Sequence, residues 1–309
     1  MRDLLSTIGN TPVVELPHLA PAPRIRLYAK LEGANPTGSV KDRIALAMLT
    51  EARATGALQP GQTILEPSSG NTGISLAMIG RLMGHPVRIV MPDNTTVERE
   101  QLLRLYDAEI VPSPGAEGSN GAIRLAQELS AVDASLFMPY QYGNPVNPRA
   151  HEEGTGPEIL AAIPEVDVFV AGLGTGGTLT GVGRFLKRQR PGVRVIAAEP
   201  LPGEQVTGLR SLEEGFVPPV LDASVLDDRY LVSNRDAVIG VRRLMREERI
   251  FAGLSSGAAL HVALRAAGEM REGNIVVLLA DGGWKYLSTG IYERELDELQ
   301  DELDRSLLW

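Results

Sequence analysis

The chain of 309 residues contains no cysteine. This excludes a disulfide scaffold, a thiolate zinc site, an iron–sulfur cluster and a cysteine nucleophile, and it leaves the redox compartment unreadable from this residue type. Histidine is scarce too. His18, His85, His151 and His261 are scattered without metal-ligand spacing, so no metal is expected. Long apolar runs are missing: the longest buried-looking one, Ile275 to Ala280, falls far short of the roughly 18 residues of a membrane span. The opening Met1-Arg2-Asp3-Leu4-Leu5-Ser6 lacks the apolar region of a signal peptide, and the cytoplasm, without a membrane partner, is the expectation. Positive charge is in deficit. With 30 Lys and Arg against 39 Asp and Glu the net charge is −9, a field that repels phosphate polymers and anionic lipid, so nucleic acid is not an expected partner. A local basic pocket stays compatible with that balance.

What the chain does contain is an ordinary globular mixture, 43% hydrophobic and 22% charged, with apolar surface for one large or two medium domains. Apolar β-rich runs alternate with segments of helical period, punctuated by Gly, Pro, Asn or Ser, the pattern of an α/β fold. Strands are expected at residues 26–31, 63–66, 87–91, 109–112, 135–138, 167–171, 194–198 and 274–280. Helices are expected at 40–55, 72–83, 97–106, 120–131, 177–188, 236–248 and 256–270. The stretch Tyr142-Gly143-Asn144-Pro145-Val146-Asn147-Pro148 breaks this rhythm. The expected division is therefore an N-terminal α/β domain, residues 1–144, and a C-terminal α/β domain, residues 145–290. Residues 291–309 read as an acidic helix and tail, with Leu296, Leu299, Leu303 and Leu307 at helical spacing and a charge balance of −5.

Three strand-to-helix loops are rich in Gly, Ser and Thr, and in doubly wound sheets such loops are where ligands bind. Gly172-Leu173-Gly174-Thr175-Gly176-Gly177-Thr178 offers close backbone approach and a helix N-terminus to an anion. Gly172, Gly174 and Gly177 also satisfy G-x-G-x-x-G, and Glu199 ends the next strand 22 residues past Gly177, so a dinucleotide remains open beside another phosphate or a bare turn. Glu66-Pro67-Ser68-Ser69-Gly70-Asn71-Thr72-Gly73 makes a cradle suited to a carboxylate, or else a plain helix cap. Ala252-Gly253-Leu254-Ser255-Ser256-Gly257 has the same form and the same two readings.

In Asn35-Pro36-Thr37-Gly38-Ser39-Val40-Lys41-Asp42-Arg43, Ser39 and Asp42 have capping-box spacing, which puts Lys41 in the first turn of a helix. The positive end of the helix dipole and any desolvation both disfavour an ammonium there and lower its pKa. Such a lysine suits Schiff-base chemistry, although most lysines are surface charges.

Lys41, then Ser-Ser-Gly-Asn-Thr-Gly, then Gly-Thr-Gly-Gly-Thr, then Gly-Leu-Ser-Ser-Gly, in this order, resemble the cysteine synthase family of pyridoxal-phosphate enzymes of fold type II. Ile8-Gly9-Asn10-Thr11-Pro12, Tyr140-Gln141-Tyr142 and Asp281-Gly282-Gly283-Trp284-Lys285-Tyr286-Leu287-Ser288-Thr289 look like family segments as well. The resemblance implies two domains, each a twisted, mostly parallel sheet flanked by helices as in the tryptophan synthase β fold, with residues of about 10–32 as the segment that would cross over to the other sheet. It implies pyridoxal 5'-phosphate as cofactor, with Lys41 forming the aldimine and Asn71 on the phenolic oxygen. Gly174, Thr175, Gly176, Gly177 and Thr178 would hold the phosphate, and Ser255 would face the pyridine nitrogen. Ser68, Ser69, Thr72 and Gln141 would bind the substrate's α-carboxylate. Lys41, once released, would take the Cα proton and a sulfur nucleophile would add to aminoacrylate. A neutral hydroxyl at the pyridine nitrogen limits the electron sink and suits β-elimination over transamination.

Gly208-Leu209-Arg210-Ser211-Leu212-Glu213-Glu214-Gly215-Phe216-Val217-Pro218 looks like the O-phosphoserine sulfhydrylase branch, also called cysteine synthase M, in which an Arg at this position contacts the substrate phosphate. A guanidinium matches a phosphate dianion bidentately, and an acetyl ester offers no charge to pair, so Arg210 is the expected specificity residue. That branch implies a thiocarboxylated sulfur-carrier protein or sulfide as donor, and the family implies a homodimer. O-acetylserine is the alternative substrate, a nicotinamide oxidoreductase the alternative enzyme, and a non-catalytic binding protein the third reading. The apolar tip Leu307-Leu308-Trp309 is a candidate lid over the site mouth, or the end of a helix packed on the body.

Overall fold

The computed structural model describes residues 3–68, 70–204 and 206–299. Ser69 of the carboxylate loop and the Leu307–Trp309 tip lie outside the described residues. Among the described residues ten strands are seen: β1 Val13–Glu15, β2 Ile25–Leu31, β3 Thr63–Pro67, β4 Val87–Pro92, β5 Glu109–Ser113, β6 Leu136–Phe137, β7 Val168–Gly172, β8 Arg194–Pro200, β9 Asp228–Val232 and β10 Gly273–Leu279. The α-helices are α1 Lys41–Ala54, α2 Asn71–Leu82, α3 Val97–Leu105, α4 Gly118–Val132, α5 Val146–Ala150, α6 Gly156–Ala162, α7 Gly177–Gln189, α8 Asn234–Glu247 and α9 Leu254–Gly268.

The strands form two sheets, a six-stranded one in the order β1-β2-β10-β7-β8-β9 and a four-stranded one in the order β5-β4-β3-β6. All neighbours are parallel except β1 and β2, which pair antiparallel with Val13 opposite Lys30. Ile275–Leu279 is buried throughout because β10 lies between β2 and β7 with both faces covered, which is why it reads as an unbroken apolar run. Residues 13–31, from the start of the chain, belong to the same sheet as β7 to β10. They are held there by a buried ionic cluster. Lys30 Nζ meets Glu158 at 2.5 Å, and Arg43 bridges Glu32 at 2.7 Å and Glu158 at 2.6 Å, so β2, α1 and α6 share one set of charges.

The expected helices and strands stand within about two residues of their anticipated ends. Three features differ. β1 and β9 were not anticipated: β1 has only three residues, and β9 is an edge strand whose Asp228-Arg229-Tyr230 carries no apolar period. The stretch after the Tyr142–Pro148 break is helical, α5 and α6 being joined by a π-helical turn at His151–Thr155. At the other end, residues 296–299 are helical, Leu299 is buried and Leu296 packs on the main core, so this part of the acidic segment lies against the body. Among the described residues no helix is long and apolar enough to cross a membrane.

The loops after β3, β7 and β10 and the approach to α1 converge. Val40 N–H donates to Ala280 O at 2.8 Å, Gly282 N–H to Gly38 O at 3.2 Å, and Ser39 bridges Asp281, so the start of α1 is sewn to the end of β10.

Candidate active site

Lys41 is the first residue of α1. The expected capping box does not form: Asp42 turns away from the helix end and accepts from Thr37 N–H at 2.8 Å, from the Thr37 hydroxyl and from Ser75 Oγ at 2.6 Å. Three buried donors there need an acceptor more than an exposed helix start needs a cap. Ser39 Oγ instead accepts from Lys41 N–H at 3.3 Å. Burial takes the Lys41 ammonium down to about 8, with Asp281 and Glu32 opposing. Among the described residues its Nζ makes no hydrogen bond and no ion pair, and at pH 7 about a tenth of it is a free amine, against far less for an ordinary lysine.

Lys41 stands where two cavities meet. The first, of about 140 Å³, is lined by Ser68, Asn71, Thr72, Gln141, Gly174, Thr175 and Arg210 among others. The second, of about 30 Å³, shares Lys41, Gly174 and Thr175 with it and adds Gly176, Thr178 and Ser255. All of the site residues expected from the sequence that are described therefore border one space, except Gly177, which begins α7 behind it.

The phosphate-type loop is shaped by close packing. Gly176 has φ +82°, in the region that side chains disfavour, and a Cβ on Gly174 would stand 2.6 Å from Gly208 O. Among the described residues the N–H groups of Gly174, Thr175, Gly176 and Thr178 have no protein acceptor, so the α7 N-terminus offers unpaired donors and a positive dipole to an anion. Glu199 does not serve a ribose: it is buried and accepts from Leu212 N–H at 2.7 Å and Arg229 Nη1 at 2.9 Å. The dinucleotide reading of this loop thereby loses its acidic partner.

In the second loop Ser68 Oγ accepts from Gly73 N–H at 3.0 Å, so it caps the first turn of α2 while lining the cavity. Thr72 Oγ1 donates to Gln141 Oε1 at 2.7 Å, joining two residues 69 apart in sequence. Gln141 is held from behind by Glu66, which accepts from the N–H groups of Tyr140 at 2.8 Å and Gln141 at 2.9 Å. These bonds keep Tyr140 at φ +55°, and burial, outweighing them, pushes the Glu66 carboxyl up to about 8. Arg210 is 7% exposed, with its guanidinium 5.4 Å from the Tyr142 ring and 4.8 Å from the Phe216 ring. Its Nη1 donates to Asn120 Oδ1 at 2.9 Å. Among the described residues no carboxylate pairs with it.

Five residues of the site escaped the sequence: Glu66, Arg99, Asn120, Asp281 and Lys285. The signal for Glu66 was a lone acid closing the apolar strand Ile64-Leu65. Asp281 and Lys285 sit inside a segment singled out without a role for either. A cofactor with a dianionic phosphate, an aldehyde for an amine and a ring nitrogen for a neutral hydroxyl fits this donor set: unpaired loop amides, a reactive Lys41 and the buried Ser255.

The profile of a family described as pyridoxal-phosphate dependent enzyme matches residues 4–281. A cysteine synthase of Staphylococcus aureus is 43% identical over 300 residues, 94% of this chain and 96% of its own. The solved structure of O-ureido-L-serine synthase superposes with a TM-score of 0.89 at 42% identity, covering 97% of this chain and 99% of that one. A cysteine synthase (OASS) from Entamoeba histolytica superposes with a TM-score of 0.88 at 34% identity, covering 100% and 95%.

Proposed function

Since the chain belongs to the cysteine synthase family of pyridoxal-phosphate-dependent enzymes, we propose that it makes L-cysteine by β-replacement on O-phospho-L-serine, releasing phosphate. The single observation that carries the choice of substrate is Arg210, a buried guanidinium lining the cavity of Lys41, fixed by two rings and an amide and, among the described residues, in no ion pair, although Glu117 and Glu204 border the same cavity. A phosphate dianion supplies the missing partner, and an acetyl ester does not.

When bound, pyridoxal phosphate supplies an electron sink for charge developing at the substrate's Cα. Lys41 would be its covalent anchor and, as a free amine in the site, would take the substrate's Cα proton, a task for which an amine of pKa about 8 is suited. The N–H groups of Gly174, Thr175, Gly176 and Thr178 would hold the cofactor's phosphate, with Gly177 behind them, Asn71 would donate to its phenolic oxygen, and the Ser255 hydroxyl would serve the ring nitrogen. Ser68, Ser69, Thr72 and Gln141 bind the α-carboxylate, which fixes the Cα–H toward Lys41. The sulfur donor is sulfide or the C-terminal thiocarboxylate of a small carrier protein, and the working form is a homodimer. Parallel assays of cysteine formation from O-phosphoserine and O-acetylserine with sulfide test the reading. A kcat/KM favouring O-acetylserine would assign the ester instead, and a protein that stays colourless with added cofactor would overturn the whole mechanism.

A further inference from the structure

Behind Asn71 lies a run of buried polar groups to which the mechanism gives no task. Lys285, wholly buried, donates from Nζ to Asn71 Oδ1 at 2.7 Å. Asp281, 2% exposed, accepts on Oδ2 from Asn71 Nδ2 at 2.8 Å and from the Tyr286 hydroxyl at 2.8 Å. Among the described residues its Oδ1 is buried without a partner. The Tyr286 ring lies 5.0 Å from the guanidinium carbon of Arg99, a second buried cation.

A primary amide can turn about its last torsion at little steric cost, exchanging its donor and acceptor ends. Here both ends are blocked. An ammonium only donates and an ionised carboxylate only accepts, so a turned Asn71 would set N–H against N–H and oxygen against oxygen. Two buried groups left unmatched are costly enough to hold one orientation almost exclusively. Asp281 uses one hydrogen of Nδ2. The other belongs to an amide that borders the cavity beside Lys41.

We propose that Lys285 and Asp281 are positioning residues that lock the Asn71 amide, so that it presents a hydrogen-bond donor and never an acceptor to the cofactor's phenolic oxygen. This rests on the assignment of Asn71 given above. The lock also explains why a cation and an anion stand buried on either side of an amide, each one hydrogen bond from it at 2.7 Å and 2.8 Å, when a direct ion pair would be the simpler arrangement.

The test is the visible spectrum and cofactor affinity of the holoenzyme. Lys285→Met keeps the length of the side chain and removes the donor; its cofactor band shifts or divides differently between forms, and the cofactor dissociation constant rises about tenfold, the effect of one hydrogen bond. Lys285→Arg restores both toward wild type. A Lys285→Met protein with an unmoved band, whatever its thermal stability, overturns the proposal. Should that variant fail to fold, Asp281→Asn carries the test: its amide can turn together with Asn71, so the lock is lost and the band moves, and an unmoved band there overturns the proposal as well. A wild-type protein that binds no cofactor sinks the assignment of Asn71; a normal wild-type band with unmoved variant bands sinks the lock alone.

Discussion

Arg210→Met is expected to lower kcat/KM for O-phosphoserine by about 10²- to 10⁴-fold and for O-acetylserine by no more than about threefold. The size follows from the position of the guanidinium. Its backbone N–H is fixed to Leu173 O at 2.7 Å, and Glu199 holds the next residues through Leu212 N–H at 2.7 Å. The side chain is therefore already ordered, and little entropy is lost when an anion arrives. Hydrogen bonds to charged groups contribute about 1.5–3 kcal/mol each. A bidentate pair thus contributes about 3–6 kcal/mol, and each 1.36 kcal/mol is a factor of ten, which gives the range of about 10²- to 10⁴-fold. Methionine keeps an apolar stem between Tyr142 and Phe216, so the loss reports charge and hydrogen bonding more than packing. Initial rates of cysteine formation from both substrates, measured in parallel with sulfide, decide it. Equal losses on both substrates would remove Arg210 from substrate selection and the phosphate reading with it.

Glu66→Gln, assayed above about pH 8 where the Glu66 carboxyl is ionised, should raise KM for the amino-acid substrate about tenfold with kcat little changed, since the amide can accept only one of the two N–H groups that place Gln141; a fall in kcat alone would contradict this. Glu158→Ala should cost about 3–5 kcal/mol in urea unfolding at pH 7 because Lys30 and Arg43 stay buried without it. Burial raises the Glu158 carboxyl, but Arg43 and Lys30 outweigh this and hold it at about 2, against an ordinary 4.5. Its contribution is complete above about pH 4.5 and lost as pH falls through 2, so the gap between wild type and variant must narrow in acid. Lys41→Met should abolish turnover and, in cofactor-stripped protein, raise the melting temperature at pH 7. Burial lowers the Lys41 pKa from 10.5 to about 8, so the folded-state penalty is complete below about 8 and disappears as pH rises toward 10.5. A melting advantage that grew with pH would refute that sign.

The parts of the site legible in the sequence are those whose chemistry lies in local spacing. Lys41 at a helix start, the glycines of 172–177 and the hydroxyls of 68–72 each declare themselves within a few residues, because close backbone approach and helix termini are local properties. Glu66, Asp281 and Lys285 were not legible, because their roles depend on partners far along the chain: Glu66 answers Gln141 from 75 residues away, and Lys285 answers Asn71 from 214. The capping box failed for a related reason. Ser39 and Asp42 have the spacing, but Ser75 and Thr37 compete for the same carboxylate and win by being buried. The α5–α6 segment was hidden by Pro145 and Pro148, which read as breakers although Pro145 stands just before α5 and Pro148 within its first turns, where a missing N–H costs little.

The charge balance shows how far a global quantity can stand from a local one. Of the net −9, −5 belongs to residues 291–309, and exposed charges act over only about 8–10 Å at physiological salt. Arg99 and Arg210, 1% and 7% exposed, line the cavity together with Lys41. Among the described residues Arg99 has Nε and Nη1 buried without hydrogen-bond partners, a state that a folded chain tolerates where nearby charge or a ligand offsets it. The interior of the site is therefore richer in unpaired donors than the surface is in positive charge. An anionic substrate is repelled weakly at a distance and held strongly once inside, where water is scarce and screening is small. Raising the ionic strength should accordingly change kcat/KM for O-phosphoserine by far less than Arg210→Met does; a salt effect of comparable size would place the recognition at the surface and not at this guanidinium.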